Sequence, residues 1–378
     1  MNNVCSLILF ILISISTAAQ QKIKIDWQVA TQLPSENDAS HIGVAGPLTG
    51  VYNNVLIVAG GANFPEAMPW MGGAKKYHNA AYVFRRGSKG SLNILQTTKL
   101  PQALAYSACV TTPQGIVCAG GEGDNGVTSK VMLLQWSDGS LITKELPSLP
   151  NGFTNGAITY CDDVVYLAGG ENSTEALNQF YYLNMQKVQD GWQALPLLPQ
   201  PTSHAVLAVQ ERENGKHVYL IGGRRKTASG ISALYKQVYA FNLQTKTWSE
   251  EASLPYALSA ASGMAAGNHT ILIFSGDRGE TFNQTEKLIA AIKEEADETK
   301  KETLNKQKAA LQSGHPGFSK EVLAYNTATM QWQAVSTIPF DAPVTTSAVC
   351  WDGVIYIPSG EIKAGVRTPQ VLKGVIKK

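Results

Sequence analysis

The sequence predicts an all-β protein: a six-bladed β-propeller closed by its N-terminal strand, with a helical insertion in the fifth blade. Three observations lead to this prediction. An apolar strand that ends in a glycine or serine-glycine pair recurs six times, two further strand motifs recur in phase with it, and the two ends of the chain complement each other. We expect one domain over residues 20–378 because a repeat overrides the domain count that length alone suggests.

The glycine-ended strands are the strongest repeat. They read NVLIVAGG, GIVCAGG, VVYLAGG, HVYLIGG, ILIFSGD and VIYIPSG, with pairs beginning at residues 60, 120, 169, 222, 275 and 359. The spacing of the first five is close to the ~50 residues typical of kelch repeats. The longer last gap contains a charged insertion.

Two more strands follow most of these pairs. One is apolar or aromatic, as in AAYVF, VMLLQW, QFYYLN, QVYAFN and EVLAYN, and the next closes on proline, as in WQALPLLP, WSEEASLP and WQAVSTIP. Each repeat therefore supplies four short antiparallel strands, which make one propeller blade. A blade cannot bury its own faces, so the blades must stack into a ring.

The chain ends predict how the ring closes. The segment IDWQVATQLP near the N-terminus reads as an outermost strand with no blade before it, and the last repeat lacks such a strand. We expect the N-terminal strand to complete the sixth blade, which removes two exposed sheet edges.

Residues 1–19 read as a secretory signal peptide. An apolar run from Leu7 to Ile13 is followed by small residues up to Ala19, after which we expect cleavage. The run is too short for a membrane span, which needs ~20 apolar residues. We therefore expect a periplasmic or secreted protein that is not membrane-bound after cleavage.

The insertion, at about residues 280–317, is rich in Lys, Glu and Ala. Leu288, Ile292 and Ala296 recur every fourth residue, which predicts one or two amphipathic helices between the second and third strands of blade five. Two interpretations stay open. The helices are either a solvated surface excursion, or a lid or an oligomer contact, which would make the protein a homodimer.

Ionisable residues gather directly after the glycine pairs. The sharp turn at each pair should aim the next side chains toward the central opening. These positions hold Asn63, Glu122, Glu171, Arg224, Asp277 with Arg278, and Glu361. The long loop of the first blade adds a mixture suited to a sugar ring: Trp70, Lys75, Lys76, Tyr77 and His78. The sequence thus predicts a funnel for a small polar ligand.

Several classes of function are disfavoured. The net charge is +2 with both signs interspersed and no basic stripe, so nucleic acid is not an expected partner. No Cys or His spacing suits a metal, and no glycine loop suits a phosphate-bearing cofactor, so we expect neither. Cys109 and Cys118 flank a turn and are either a disulfide or two buried thiols.

The segment GEIKAGVRT at residues 360–368, the segment AGGANF and the blade-five insertion resemble the N-acetylneuraminate epimerases, the kelch-type sialic acid mutarotases of bacteria. The resemblance covers essentially the whole mature chain, but the GEIKAGVRT blade comes last here and mid-chain in that family. The chain therefore looks like a circular permutant, which closed rings tolerate.

The resemblance implies that Glu361 is the catalytic proton acceptor and Arg367 a pocket residue, with sialic acid as substrate and no cofactor. Arg224 and Arg278 are further candidates for the substrate carboxylate, on position alone. Two rival functions remain: a non-catalytic kelch propeller that binds sialic acid or a protein, and a copper-radical sugar oxidase, which would need clustered Tyr, His and Cys ligands.

Overall fold

The computed structural model describes residues 23–35 and 40–377, and it confirms the six-bladed propeller. Six four-stranded antiparallel sheets surround an axial cavity of about 430 Å³, to which all six blades contribute residues from or beside their first strands. The blades, each from its first to its last strand, are I (Leu48–Tyr52, Val55–Ala59, Ala80–Arg86, Leu92–Lys99), II (Ala108–Thr112, Gly115–Ala119, Val131–Ser137, Ser140–Leu146), III (Ala157–Cys161, Val164–Ala168, Phe180–Asn184, Gln193–Ala194), IV (Val206–Arg212, Gly215–Ile221, Val238–Asn242, Trp248–Glu250), V (Ser262–Ala266, Thr270–Phe274, Glu321–Asn326, Gln331–Thr337) and VI (Val349–Trp351, Val354–Pro358, Gln370–Lys377, Lys24–Gln32).

The N-terminal strand closes the ring as predicted. Lys24–Gln32 pairs antiparallel with Gln370–Lys377 and so becomes the outermost strand of blade VI. On this strand Trp27 is buried and meets Phe274 of blade V edge-on, with the ring centroids 5.9 Å apart. Closure therefore completes a sheet and also an interface between two blades.

The hydrophobic core is divided among the blade interfaces. Six buried apolar clusters lie within the described residues, one between each pair of neighbouring blades. Between blades I and II, for example, Ile57 and Val83 pack against Ile116 and Leu134. Most strands contribute to the interfaces on both of their faces, which explains why the second strands read as continuous apolar runs.

The glycine pairs hold neighbouring blades together. In blade I, Gly60 and Gly61 both have left-handed backbone angles, with φ of 61° and 90°, and a Cβ at Gly60 would lie 2.2 Å from the Leu104 carbonyl oxygen. The Gly61 N–H then donates to that same oxygen at 2.9 Å, on the segment that leads into blade II. Only glycine allows this close approach without strain.

The insertion forms two helices, as predicted, Glu280–Glu294 and Glu298–Ser313, between the second and third strands of blade V. The second is capped by Asp297, whose side chain accepts from the Lys300 N–H at 3.0 Å. Neither helix, nor any other within the described ranges, is long and apolar enough to cross a bilayer.

Four of the loops after the second strands fold into small hairpins: Ala62–Asn63 with Lys76–Tyr77, Glu122–Gly123 with Gly126–Val127, Arg224–Lys226 with Ser232–Leu234, and Glu361–Lys363 with Val366–Arg367. Short 3-10 turns lie at Pro69–Met71, Ser88–Gly90 and Val188–Asp190.

The predicted signal peptide lies outside the described residues. Cys109 and Cys118 sit directly opposite each other in blade II as free thiols.

Candidate active site

Six backbone hydrogen bonds form a closed ring about the axis. Each blade contributes the residue just before its first strand opens, and the N–H of each donates to the carbonyl of its neighbour over 2.7–3.1 Å. All six have left-handed backbone angles, with φ between 49° and 62°. We call them the axial ring: Gly46, Tyr106, Asn155, His204, Ala260 and Thr345. These hydrogen bonds fix the backbone that carries the side chains of the ring residues.

The residues that follow the glycine pairs lie next to the axial ring. Each makes a β-bridge with the residue immediately before a ring residue, as Glu122 does with Ala105 and Glu361 with Val344. The six equivalent positions hold Ala62, Glu122, Glu171, Arg224, Asp277 and Glu361. The glycine turns therefore do bring five ionisable side chains to one face of the propeller.

Asn63, predicted with this group, lies one residue beyond the equivalent position. Its side chain is buried inside the loop of blade I, where it donates to the Gly43 carbonyl at 2.9 Å and its Oδ1 lies 2.8 Å from His78 Nε2. A direct contact between Asn63 and a ligand stays a prediction.

Glu361 and Arg367 face each other across the hairpin that GEIKAGVRT forms. The Gly365 N–H donates to Glu361 Oε1 at 2.7 Å, and Arg367 Nη1 lies 3.5 Å from that oxygen. The Arg367 side chain is only 5% exposed, whereas that of Glu361 is 21% exposed. This turn, with Gly365 at φ of 75°, explains the spacing of the motif.

The Arg367 guanidinium is partly unsatisfied. Its Cζ lies 4.8 Å from the centre of the Phe64 ring, and its buried Nε has no hydrogen-bond partner among the described residues. A buried donor without a partner costs about 1–3 kcal/mol. Such a group is suited to bind an anion.

Tyr106 of the axial ring reaches this pair from blade II. Its aromatic ring lies over Gly46, where a Cβ would come within 2.3 Å of Tyr106 Cδ1. Burial raises the pKa of Tyr106 to about 12; contact with Arg367 lowers it in part, and Glu361 and Glu122 raise it.

Glu122 is held by the first-blade loop. The Tyr77 hydroxyl donates to Glu122 Oε1, and Lys75 Nζ lies 3.8 Å from the same oxygen. Burial and the bond to Glu122 raise the pKa of Tyr77. Lys75 also lies 5.2 Å from the centre of the Tyr106 ring, so this cluster adjoins the Glu361 pair.

A second cluster links Arg224 to Glu171 through two neutral groups. Arg224 Nη2 lies 3.2 Å from His204 Nε2, His204 Nδ1 lies 3.0 Å from Ser203 Oγ, and that hydroxyl donates to Glu171 Oε2 at 2.8 Å. The arginine can only donate, so His204 carries its proton on Nδ1. Glu171 Oε1 accepts from Asn155 Nδ2 at 3.0 Å.

The protonation states of His204 and Glu171 depend on burial and on the neighbouring charged groups. Burial and the adjacent Arg224 lower the pKa of His204 to about 3, so its imidazole is neutral near pH 7. Burial alone would raise the pKa of Glu171, but His204, Arg224 and its hydrogen-bond donors outweigh burial and lower it.

The helical insertion borders the second cluster. The Phe282 ring of the first helix lies 4.3 Å from Arg224 Cζ. Glu286 of the same helix accepts from the Ser232 N–H and hydroxyl at 2.6 and 2.9 Å. Burial raises the pKa of nearby Asp277. The insertion therefore lies next to the site, but a lid function stays a prediction.

Arg278 is directed elsewhere. Its guanidinium bonds Glu321 at 2.6 Å and stacks on Tyr256, 3.8 Å from the ring centre. It is not brought together with Glu361 and Arg367, and its role in substrate binding remains a prediction.

Sequence reasoning missed the axial ring. Its residues precede first strands in the segments VAGPL, LAYSA, FTNGA, TSHAV, LSAAS and PVTTS, where a variable residue in third place stands before Pro, Ser, Gly, Ala or Thr. That weak repeat, read in phase with the glycine pairs, would have pointed to Tyr106 and His204.

A model of the family described as N-acetylneuraminate epimerase matches residues 13–143 and 146–378. The chain belongs to this family. Among curated members, the N-acetylneuraminate epimerases of Vibrio vulnificus and Pasteurella multocida are 28% and 26% identical over 229 and 240 residues, that is 60% and 62% of this chain. The epimerase of Brucella melitensis is 26% identical over 64% of the chain. The matched segments span about 60% of each relative's length.

Copper-radical chemistry would need clustered ligands. In residues 23–35 and 40–377, no three His, Cys, Asp or Glu side chains are grouped so that they could hold a metal ion.

Proposed function

We propose that the protein interconverts the α and β anomers of N-acetylneuraminate by acid/base-catalysed opening and closing of the sugar ring. The observation that carries this proposal is the Glu361–Arg367 hairpin beside the axial ring, in a chain of the N-acetylneuraminate epimerase family. The curated relatives carry that activity in their names.

Glu361 is suited to act as the base. The anomers interconvert through an open-chain ketone, which forms when the anomeric hydroxyl loses its proton and the ring oxygen gains one. The bond from the Gly365 N–H orients the Glu361 carboxylate, which is partly exposed and can take the hydroxyl proton and later return it. A positioned general base contributes ~10²- to 10⁴-fold in rate.

Arg367 is suited to hold the carboxylate of the substrate, which is attached to the reacting carbon. A guanidinium can form two parallel hydrogen bonds to a carboxylate, and that of Arg367 lies directly beside Glu361. Arg224, on the same face, is the second candidate. Glu122 and Glu171 can accept hydrogen bonds from sugar hydroxyls, because both side chains are 27% exposed.

The test is replacement of Glu361 by Ala, with anomer equilibration of freshly released sialic acid followed by proton NMR. We expect the catalysed rate to fall at least about 100-fold. Glu250→Ala, at an exposed site on the outermost strand of blade IV, is the matched control. Equal rates for Glu361→Ala and the wild type would refute the assignment, and calorimetry would then reveal whether the propeller binds sialic acid without turnover.

The proposal includes export. Residues 1–19 have the apolar run and the small residues of a cleaved signal. N-terminal sequencing of the protein recovered from the periplasm or medium should start at Gln20, and recovery of the chain from the cytoplasm with Met1 intact would contradict export.

A further inference from the structure

Ring opening needs two proton transfers, and Glu361 accounts for one of them. We infer that Tyr106 is the second catalytic residue: its phenol protonates the ring oxygen as the ring opens and recovers that proton as the ring closes. This role rests on the proposed function and concerns the same site.

The fold holds Tyr106 rigidly at the centre of the face. Its N–H donates to the Gly46 carbonyl at 2.8 Å, and its own carbonyl accepts from the Asn155 N–H at 3.1 Å, so its backbone is fixed from both sides in the axial ring. Because Gly46 has no side chain, the tyrosine ring can lie across it from blade II toward blade VI. There the phenol comes into contact with Arg367, beside Glu361.

The surroundings suit a group that donates a proton and takes it back. The phenol is neutral in the resting enzyme, because burial and the two nearby carboxylates oppose its ionisation. After it gives up its proton, the phenolate would lie against the Arg367 cation, which stabilises it. Proton transfer from the phenol to the opened ring oxygen is favourable, because a sugar alkoxide is a stronger base than a phenolate.

The transfers balance over one cycle. On opening, Glu361 takes the proton of the anomeric hydroxyl, the bond between the anomeric carbon and the ring oxygen breaks, and Tyr106 protonates that oxygen. After the carbonyl group rotates, the same hydroxyl attacks its other face and returns its proton to Tyr106. The carbonyl oxygen then takes the proton held by Glu361, so both residues end as they began.

Three other proton donors of the face are already engaged. His204 is neutral, with Nδ1 directed at Ser203 and Nε2 accepting from Arg224. The Tyr77 hydroxyl donates to Glu122, and the Lys75 ammonium lies beside that same carboxylate. Within the described part of the chain, Tyr106 brings a hydroxyl proton into contact with the Glu361–Arg367 pair.

The experiment compares Tyr106→Phe with the wild type in the NMR equilibration assay. The variant keeps the ring that packs on Gly46 and loses only the hydroxyl. We expect kcat to fall at least about 100-fold, while KM and the calorimetric Kd for N-acetylneuraminate change less than about threefold. Tyr160→Phe is the control, because its hydroxyl bonds Asp163, in the turn before the second strand of blade III.

Each outcome decides the inference. A variant that retains a third or more of the wild-type kcat overturns it. Loss confined to Kd, or a matching loss of thermal stability, also overturns it, because Tyr106 would then serve binding or folding. If the wild-type protein leaves the anomers unequilibrated while Glu361→Ala behaves identically, the proposed function itself fails, and this is seen before any tyrosine variant is made.

Discussion

At the residue scale, the two serines in the glycine pairs differ in what they do. Both have left-handed backbone angles, with φ of 60° at Ser275 and 55° at Ser359. The Ser359 hydroxyl accepts from the Val44 N–H at 2.9 Å and lies 2.7 Å from the Thr368 carbonyl. The buried Ser275 hydroxyl has no hydrogen-bond partner within the part of the chain that the structure describes. The sequence shows that serine replaces the first glycine in two pairs. The different roles of the two serines depend on contacts from distant segments.

Replacing each serine by glycine should therefore change the stability by different amounts. Ser275→Gly relieves a strained angle worth roughly 1–2 kcal/mol and removes an unsatisfied hydroxyl, so the urea midpoint should rise. Ser359→Gly relieves the same strain but leaves the buried Val44 N–H unsatisfied, which costs about 1–3 kcal/mol. Urea unfolding of both variants measures the difference, and equal shifts would contradict this account.

His204 should make the fold sensitive to mild acid. The pKa of His204 is lowered from 6.5 to about 3 by burial and Arg224, so between these values the unfolded chain binds a proton that the folded chain does not. Stability is thus fully present above pH 6.5 and falls as the pH drops, by on the order of a few kcal/mol over the window. Between pH 6.5 and 4.5, Glu171 adds little because its own transition lies lower.

His204→Gln should flatten that slope. The variant is expected to be less stable at pH 7, because it loses the link between Arg224 and Ser203, yet to lose less stability between pH 6.5 and 4.5. Urea midpoints at several pH values measure this, with the exposed His269→Gln as control. Equal slopes for the wild type and His204→Gln would show that another group governs the acid response.

At the scale of elements, the helical insertion was predictable, but its contacts were not. Its helical period and its place in blade V follow from local sequence. The contact of Phe282 with Arg224, and that of Glu286 with Ser232, join blade V to the loop of blade IV. Long-range pairings of this kind leave no periodic signal.

If the first helix is a lid, Glu286 holds it closed through its bonds to Ser232. Glu286→Ala removes both bonds to Ser232, so amide hydrogen exchange in Glu280–Glu294 should accelerate about tenfold or more, and KM should rise while kcat changes little. Glu294→Ala, at the exposed end of the same helix, should change neither. Faster exchange with an unchanged KM would mean that the helix is a solvated excursion.

At the scale of the whole molecule, the closed ring followed from the sequence because closure leaves a signature at both ends. One end of the chain supplies an outermost strand without a blade, and the other end supplies a blade without an outermost strand. Pairing the two removes both exposed edges. The motif of the candidate site could be read from the sequence because the glycine turn, Glu361 and Arg367 lie within one hairpin. Tyr106 and His204 were missed because the axial ring draws its members from six segments, one in each blade.

The comparisons also bear on the order of the blades. The family model matches in two segments that divide between residues 143 and 146, within the outermost strand of blade II. A permuted order predicts a match that divides in this way, and it stays a prediction from the resemblance.

This interpretation predicts that the chain can be reordered. A variant that runs from Gly139 to Lys378, continues through a short glycine-containing turn and then residues 23–138, joins ends that are already neighbours, since Lys377 lies opposite Lys24 in the closing sheet. Its new ends fall in the turn between Ser137 and Ser140, so Ser140–Leu146 now closes blade II as Lys24–Gln32 closes blade VI. We expect an unchanged circular dichroism spectrum, a melting temperature within a few degrees and full anomer equilibration.

The matched control keeps the natural order but lacks residues 23–32. It exposes the edge of Gln370–Lys377 and removes Trp27 from Phe274, at a cost of about 3–5 kcal/mol for the tryptophan alone, so it should melt much earlier or aggregate. If the reordered chain fails to fold while this truncated chain remains stable, the ring does not depend on an exchanged strand, and the permutation would need another explanation. The reverse result would show that strand pairing within each blade, and not chain order, determines the propeller.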